Sequence, residues 1–155
     1  MMLLGIDPGN NKCGWALVNS DSSLYASGII PSHIPVEWIN ALALTGESRI
    51  NLLQPWIIEK PDYFSNEPVS YIILGTGTGS KKVEEQLLNY RSGLRIVLAE
   101  EKFTTLEARD FFWKLHPPGG FRKYLPISLL TPPRDIDDLA AWVIVLHKIE
   151  TEKGE

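Results

Sequence analysis

The sequence predicts an α/β domain built on a mixed sheet of five strands flanked by helices. Three observations predict it. Short apolar runs joined by tight turns open the chain, and after residue 36 apolar residues at helical spacing alternate with further short runs. The composition is also that of a folded domain: of 155 residues, 44% are hydrophobic and 22% charged, near globular averages. That length buries a full core in one unit, so a single domain is expected over residues 1–150, with a polar tail over 151–155 expected to fray.

The elements follow in order. Residues 2–7 form an apolar run of buried-strand type that ends at Asp7, and Pro8-Gly9-Asn10-Asn11-Lys12 turns the chain into a second run, 13–19. Asp21-Ser22-Ser23 turns it again into a third, 24–30. Strands joined this tightly pair antiparallel. Residues 36–58 carry Trp38, Ile39, Leu42, Ile50, Leu53, Trp56 and Ile57 at near-helical spacing, with a break at Thr45-Gly46. Residues 69–74 read as a strand closing in Gly75-Thr76-Gly77-Thr78-Gly79, and Ser80 is placed to cap a helix over 81–90. Residues 94–99 read as a fifth strand. Thr104 or Thr105 is placed to cap the next helix, with Glu107 in its first turn. Residues 116–133 form an irregular connection rich in Pro, Gly and aromatics, and a last helix is expected over 136–150. Strands connected through helices pair parallel, which makes the sheet mixed.

Several function classes are excluded by composition. No apolar stretch approaches the roughly 20 residues that span a bilayer, and no basic segment precedes the first strand, so a cytoplasmic protein without membrane attachment is expected. The lone Cys13 allows no internal disulfide, and no Cys/His cluster has zinc spacing. The glycine-rich turn at 75–79 lacks the Gly-Lys-Ser/Thr ending of a P-loop. A formal net charge of −4 means that any nucleic-acid role rests on a local basic surface.

Acids mark three places where apolar runs meet turns or helix starts: Asp7, the pair Glu100/Glu101, and the pair Asp137/Asp138. A carboxylate beside buried apolar residues is costly unless it is solvated, paired or holding a cation. Converging, these acids would form an oxygen-only site suited to Mg2+ or Mn2+. Each also has a plainer reading. Asp7-Pro8-Gly9 is a good turn. Glu100 and Glu101 point to opposite faces if both extend the strand, so only one enters a shared site. Asp135, Asp137 and Asp138 suit a helix N-terminus, and three acids there exceed what a cap requires.

The run Gly5-Ile6-Asp7-Pro8-Gly9, followed by Gly14 and a strand, resembles the opening of the RNase H-like superfamily, RuvC-type resolvases in particular. Glu100-Glu101-Lys102-Phe103-Thr104-Thr105-Leu106-Glu107-Ala108-Arg109 resembles the Asp-Glu-Arg-Leu-Thr-Thr-x-x-Ala signature of the YqgF (RuvX) family. Asp137-Asp138-Leu139-Ala140-Ala141 is similar to that family's acid before a small, apolar C-terminal helix. The order of elements matches as well.

The resemblance implies a three-layer RNase H-like fold and a magnesium- or manganese-dependent nuclease, described in that family as a Holliday-junction resolvase or as a nuclease maturing the 5′ end of 16S ribosomal RNA. The implied metal-binding and catalytic acids are Asp7, Glu101 and Asp137, with Asp138 exchanging for Asp137 on a one-residue shift. Asp7 would bridge two ions while the other acids complete their shells. Lys102, Thr104, Thr105 and Lys12 are the expected substrate contacts, with Lys81, Lys82, Arg109, Arg122, Lys123 and Arg134 as further cations in reach of phosphate. Structured RNA and branched DNA both remain as substrates. A homodimer is expected only for branched DNA, where paired strands are cut symmetrically.

The chain departs from the family pattern at Lys102, which lacks the bidentate fork of arginine, at Phe103, and across 75–79 and 116–133. Those departures and the acidic balance keep a second expectation in play, a catalytically inactive RNase H-like module that binds nucleic acid or protein.

Overall fold

The computed structural model describes residues 1–91, 93–100 and 104–154. Strands β1 (Met2–Asp7), β2 (Lys12–Asn19) and β3 (Leu24–Pro31) form the expected antiparallel meander. Both faces of these strands are buried, which is why they read as continuous apolar runs. At the β2–β3 turn Ser22 takes a positive φ of 73°, and the Asp21 carboxylate accepts the Ser23 amide at 2.9 Å to hold the turn.

Helices α1 (Val36–Ala41) and α2 (Gly46–Leu53) separate where the sequence breaks at Thr45-Gly46. The helical reading of 36–58 then fails at its end. Gln54–Trp56 tightens into a three-ten turn around Pro55, and Ile57–Glu59 leaves as a short strand, β4, paired antiparallel to β3. Proline ends the helical hydrogen bonding there, so the sheet has six strands rather than five.

Strand β5 (Val69–Gly75) lies parallel to β1, and β6 (Ile96–Ala99) lies parallel to β5. Between them runs α3 (Ser80–Tyr90). Its N-cap is Gly79 at φ 87°, with no side-chain cap bond, so Ser80 is the first helical residue instead of the expected cap. Helix α4 (Thr104–Leu115) and helix α5 (Asp137–Lys153) follow, joined by a segment with two three-ten turns, Gly120–Tyr124 and Ile127–Leu129. α5 extends past residue 150, and the Thr151 hydroxyl bonds back to the His147 carbonyl at 2.9 Å.

The sheet order is β4-β3-β2-β1-β5-β6. One face carries Met2, Leu4, Ile6 and Trp15, covered by Trp38 of α1, Ile50 of α2 and Leu87 of α3. The other carries Leu3, Ala16, Ile73, Phe112 and most of α5. A meander on one side of β1 and parallel strands on the other, between two helical layers, is the RNase H-like fold. Among the described residues no helix is long and apolar enough to cross a membrane.

Two glycines set how closely α5 approaches the sheet. A Cβ on Gly5 would lie 2.3 Å from the Ala141 carbonyl oxygen, and one on Gly14 would lie 2.0 Å from that of Asp137. Only a residue without a side chain lets the helix backbone rest on the strands at this range.

Candidate functional site

Strand β1 is where the sheet changes direction: β2 runs antiparallel on one side and β5 parallel on the other. Ligands of open α/β sheets collect at the C-terminal ends of strands beside such a switch. Asp7 is the last residue of β1 and is half-buried. Strand alternation puts its side chain on the face of Leu3 and Gly5, the face that α5 covers.

Asp7 stands opposite Gly14 in the β1–β2 ladder, and the Asp137 carbonyl sits over the same glycine. The two acids therefore flank one residue although 130 positions separate them in sequence. The Cys13 thiol reports the same convergence. Burial pushes it up, a Gly9 amide opposes that, and the charges of Asp7 and Asp137 add to the rise against Lys82.

Asp137 does not stand alone. The Lys12 ammonium bonds to Asp135 and lies 3.5 Å from Asp137 Oδ2. The Asp135 bond and the charges of both acids hold Lys12 above its ordinary value against the effect of burial. This arrangement is half open to solvent, with Asp137 41% exposed and Lys12 44%.

Asp138 has a different environment. It is fully buried, its Oδ2 accepts from the Ser27 hydroxyl at 2.6 Å, and its Oδ1 accepts from Arg134 Nη1 at 2.8 Å. Arg134 Nη2 reaches Glu59 Oε1 at 2.7 Å, and His116 Nε2 meets the same oxygen at 2.7 Å. Burial pushes the Glu59 carboxyl up, and the bonds from His116 and Arg134 more than offset this, leaving it below its ordinary value. Successive helical residues point about 100° apart, which is why the adjacent acids meet such different partners. Both Asp138 oxygens are committed to structure, and Arg134 is tied to two acids rather than presented to phosphate.

The second acidic station divides. Glu100 follows β6, is exposed, and lines a shallow hollow with His147 and Thr151 of α5. Glu101 and Lys102, expected as a metal ligand and a phosphate contact, lie outside the described residues. Thr104, the first residue of α4, is buried, whereas Thr105 is exposed. Thr105 and Arg109 form one wall of an open groove of about 430 Å³ whose other wall runs from Thr131 to Asp137. Lys81 and Lys82 are exposed in the first turn of α3, whose leading Gly79 lies so near the β1–β2 turn that a Cβ there would fall 3.0 Å from the Gly9 carbonyl oxygen.

The structure thus holds Lys12 against Asp135 and Asp137, sets the Asp137 backbone over the ladder partner of Asp7, and places Thr105 in the adjoining groove. Among the described residues no group of three His, Cys, Asp or Glu is close enough to hold a metal ion. Carboxylates such as those of Asp7 and Asp137 are the oxygen ligands that suit a hard divalent cation. Sequence reasoning missed the Glu59 and Ser27 contacts. The i,i+4 spacing of Arg134 and Asp138 was the one available signal for their pairing.

Among solved structures, this chain is similar to RuvC from Thermus thermophilus, with 14% identity, a TM-score of 0.46, and coverage of 99% of this chain and 97% of that one. No family model matches the chain, and no curated protein does. Strand order and layering carry the fold assignment.

Proposed function

We propose that this protein is a metal-dependent nuclease that hydrolyses phosphodiester bonds in nucleic acid at the C-terminal end of β1. The observation that carries this reading is the placement of Asp7 and Asp137 on either side of Gly14 at the switch strand. Asp7, Asp137 and Glu101 would hold Mg2+ or Mn2+, which when bound supplies an activated water and neutralises charge on the leaving oxygen.

The chain's own groups account for the rest. Asp7 anchors from a strand end paired to Gly14 of β2, one residue past the last β5 pair at Ile6, so its backbone is set before substrate arrives. Lys12 neutralises Asp137 in the resting state and is near enough to turn to a phosphate once Asp137 is otherwise engaged. Thr105 and Arg109 line the groove along which a backbone would pass, and the sequence resemblance adds Lys102 as a phosphate contact. A substrate like that of the YqgF family, precursor ribosomal RNA or a four-way DNA junction, follows from the sequence resemblance, and work in the cytoplasm is the expectation from composition.

The test is cleavage of labelled structured RNA and of a DNA junction with Mg2+ or Mn2+ against a chelated control. Asp7→Asn is expected to lower turnover by at least a hundredfold while leaving the circular dichroism spectrum unchanged. Full activity in that variant removes Asp7 from the chemistry.

One observation favours a second reading. Lys12 places a fixed positive charge beside Asp137, as a protein that has dispensed with its cation would. In that case the domain binds nucleic acid and does not cut it, and substrate binding without metal-dependent turnover is the result that selects it.

A further inference from the structure

The connection between α4 and α5 combines exposure and charge in a way the acidic site does not use. Residues 121–129 are exposed without a break, with Phe121 75% exposed, Tyr124 79% and Leu129 71%. Exposed rings in a row are uncommon on a protein that has no use for them. Charge is segregated in the same stretch. Residues 111–133 hold Lys114, Arg122 and Lys123 and not one of the 19 acids in the chain, while Arg134 beyond them is already paired with Glu59 and Asp138.

The segment is pinned at its base and free at its tip. His116 at one end and Arg134 at the other both meet Glu59 Oε1 at 2.7 Å, and buried Asp138 holds Arg134 in turn. Leu130 is buried against the α4–α5 side of the core. At the tip, the three-ten turn Gly120–Tyr124 places Phe121 and Tyr124 three residues apart. In a three-ten helix such residues eclipse, about 6 Å apart along the axis. Lys123 Nζ stands 5.1 Å from the centre of the Tyr124 ring, so a cation accompanies the π-face. From the base of this segment, the groove lined by Thr131, Arg134 and Thr105 leads to Asp137.

We propose that residues 116–134 form an arm that takes an unpaired nucleic-acid strand, with Phe121 and Tyr124 stacking on bases and Arg122 and Lys123 meeting phosphates. This deepens the nuclease reading and rests on it only for where the strand leads. Rings give a platform to any base, and cations without neighbouring acids suit a polyanion. A second copy docked arm to arm would oppose like charges, which disfavours self-association as the use of this surface.

The test is fluorescence anisotropy with the full chain in chelator, using a labelled oligothymidine of about 15 nucleotides, the upper site size of one single-strand-binding fold, and a duplex of equal length. Phe121→Ala with Tyr124→Ala is expected to weaken oligothymidine binding by about a hundredfold, roughly tenfold per ring, and duplex binding by less than threefold. Arg122→Gln with Lys123→Gln is expected to lower the salt dependence by a slope of about 1.4, or 0.7 per phosphate contact. Because both pairs are exposed, the thermal transition should not move.

No oligothymidine binding by the unaltered chain, no loss in the ring variant, or equal losses on single and double strands would each overturn the arm. So would a dimer of the unaltered chain that the ring variant renders monomeric, since a second copy would then cover the rings. Ring-dependent binding in a chain that never cleaves would keep the arm and remove the nuclease. Metal-dependent cleavage with ring-independent binding would do the reverse.

Discussion

Asp137 and Asp138 are neighbours in sequence and opposites in environment. Asp138 is sealed between Ser27 and Arg134, while Asp137 shares a half-open edge with Lys12, its backbone over Gly14, the ladder partner of Asp7. A carboxylate whose every oxygen is spoken for holds the fold, and one with a single exchangeable partner can serve a ligand. The same contrast separates Arg134, clamped between two acids, from Arg109, which lines open groove.

The largest expected effect breaks the sealed side. Asp138→Ala removes one partner of a buried pair and leaves Arg134 and Ser27 facing a void, at a cost of about 3 kcal/mol or more. Asp137→Ala, on the exposed side, should cost less than about 1 kcal/mol. Urea midpoints of the two variants measure the difference, and equal midpoints would dissolve the distinction.

Gly14→Ala tests what holds the two environments in place. Its Cβ would fall 2.0 Å from the Asp137 carbonyl oxygen, so α5 must lift or slide. A loss of about 1–3 kcal/mol is expected from this overpacking, together with weaker metal-dependent cleavage. Stability and activity like those of the unaltered chain would show that the helix does not depend on this contact.

Acid should loosen the clamp that Glu59 makes with His116 and Arg134. Burial works against the Glu59 charge, but His116 and Arg134 prevail and hold the carboxyl below its ordinary value of 4.5. With the folded value the lower one, the stability Glu59 contributes is complete above the unfolded value. It is lost as pH falls through the folded value. Urea midpoints taken below pH 4.5 should fall more steeply for the unaltered chain than for Glu59→Gln, and parallel curves would count against the clamp.

The smallest expected effect on stability comes from Lys12→Ala, under about 0.5 kcal/mol for so exposed a pair. Its consequence should appear in calorimetric titration with Mn2+, which should bind more tightly once the ammonium no longer competes for Asp137. Weaker binding would make Lys12 a support for the site instead of a competitor.

Much of this was legible in the sequence, for physical reasons. The meander could be read because tight turns at Pro8-Gly9 and Asp21-Ser22 bound runs of strand length. Asp7 and the pairs Glu100/Glu101 and Asp137/Asp138 could be singled out because acids at the edges of apolar runs need an explanation. β4 could not, because Ile57 continues the helical spacing and only the hydrogen-bonding partner, β3, distinguishes a strand there. Nor could the division between Asp137 and Asp138, since it depends on the rotation of α5 about its axis. That rotation is fixed by Gly5 and Gly14, far away in the chain. The tie from His116 and Arg134 to Glu59 joins positions whose sequence spacing carries no period.

That one carboxylate gathers both ends of the α4–α5 connection has an evolutionary consequence. Once the ends of a loop are fastened, lengthening it is cheap, about 0.6 kcal/mol for each doubling. The tip beyond Glu59 is therefore a natural place for insertions, deletions and grafted sequence, able to change what the domain grips while the acids at β1 stay in register.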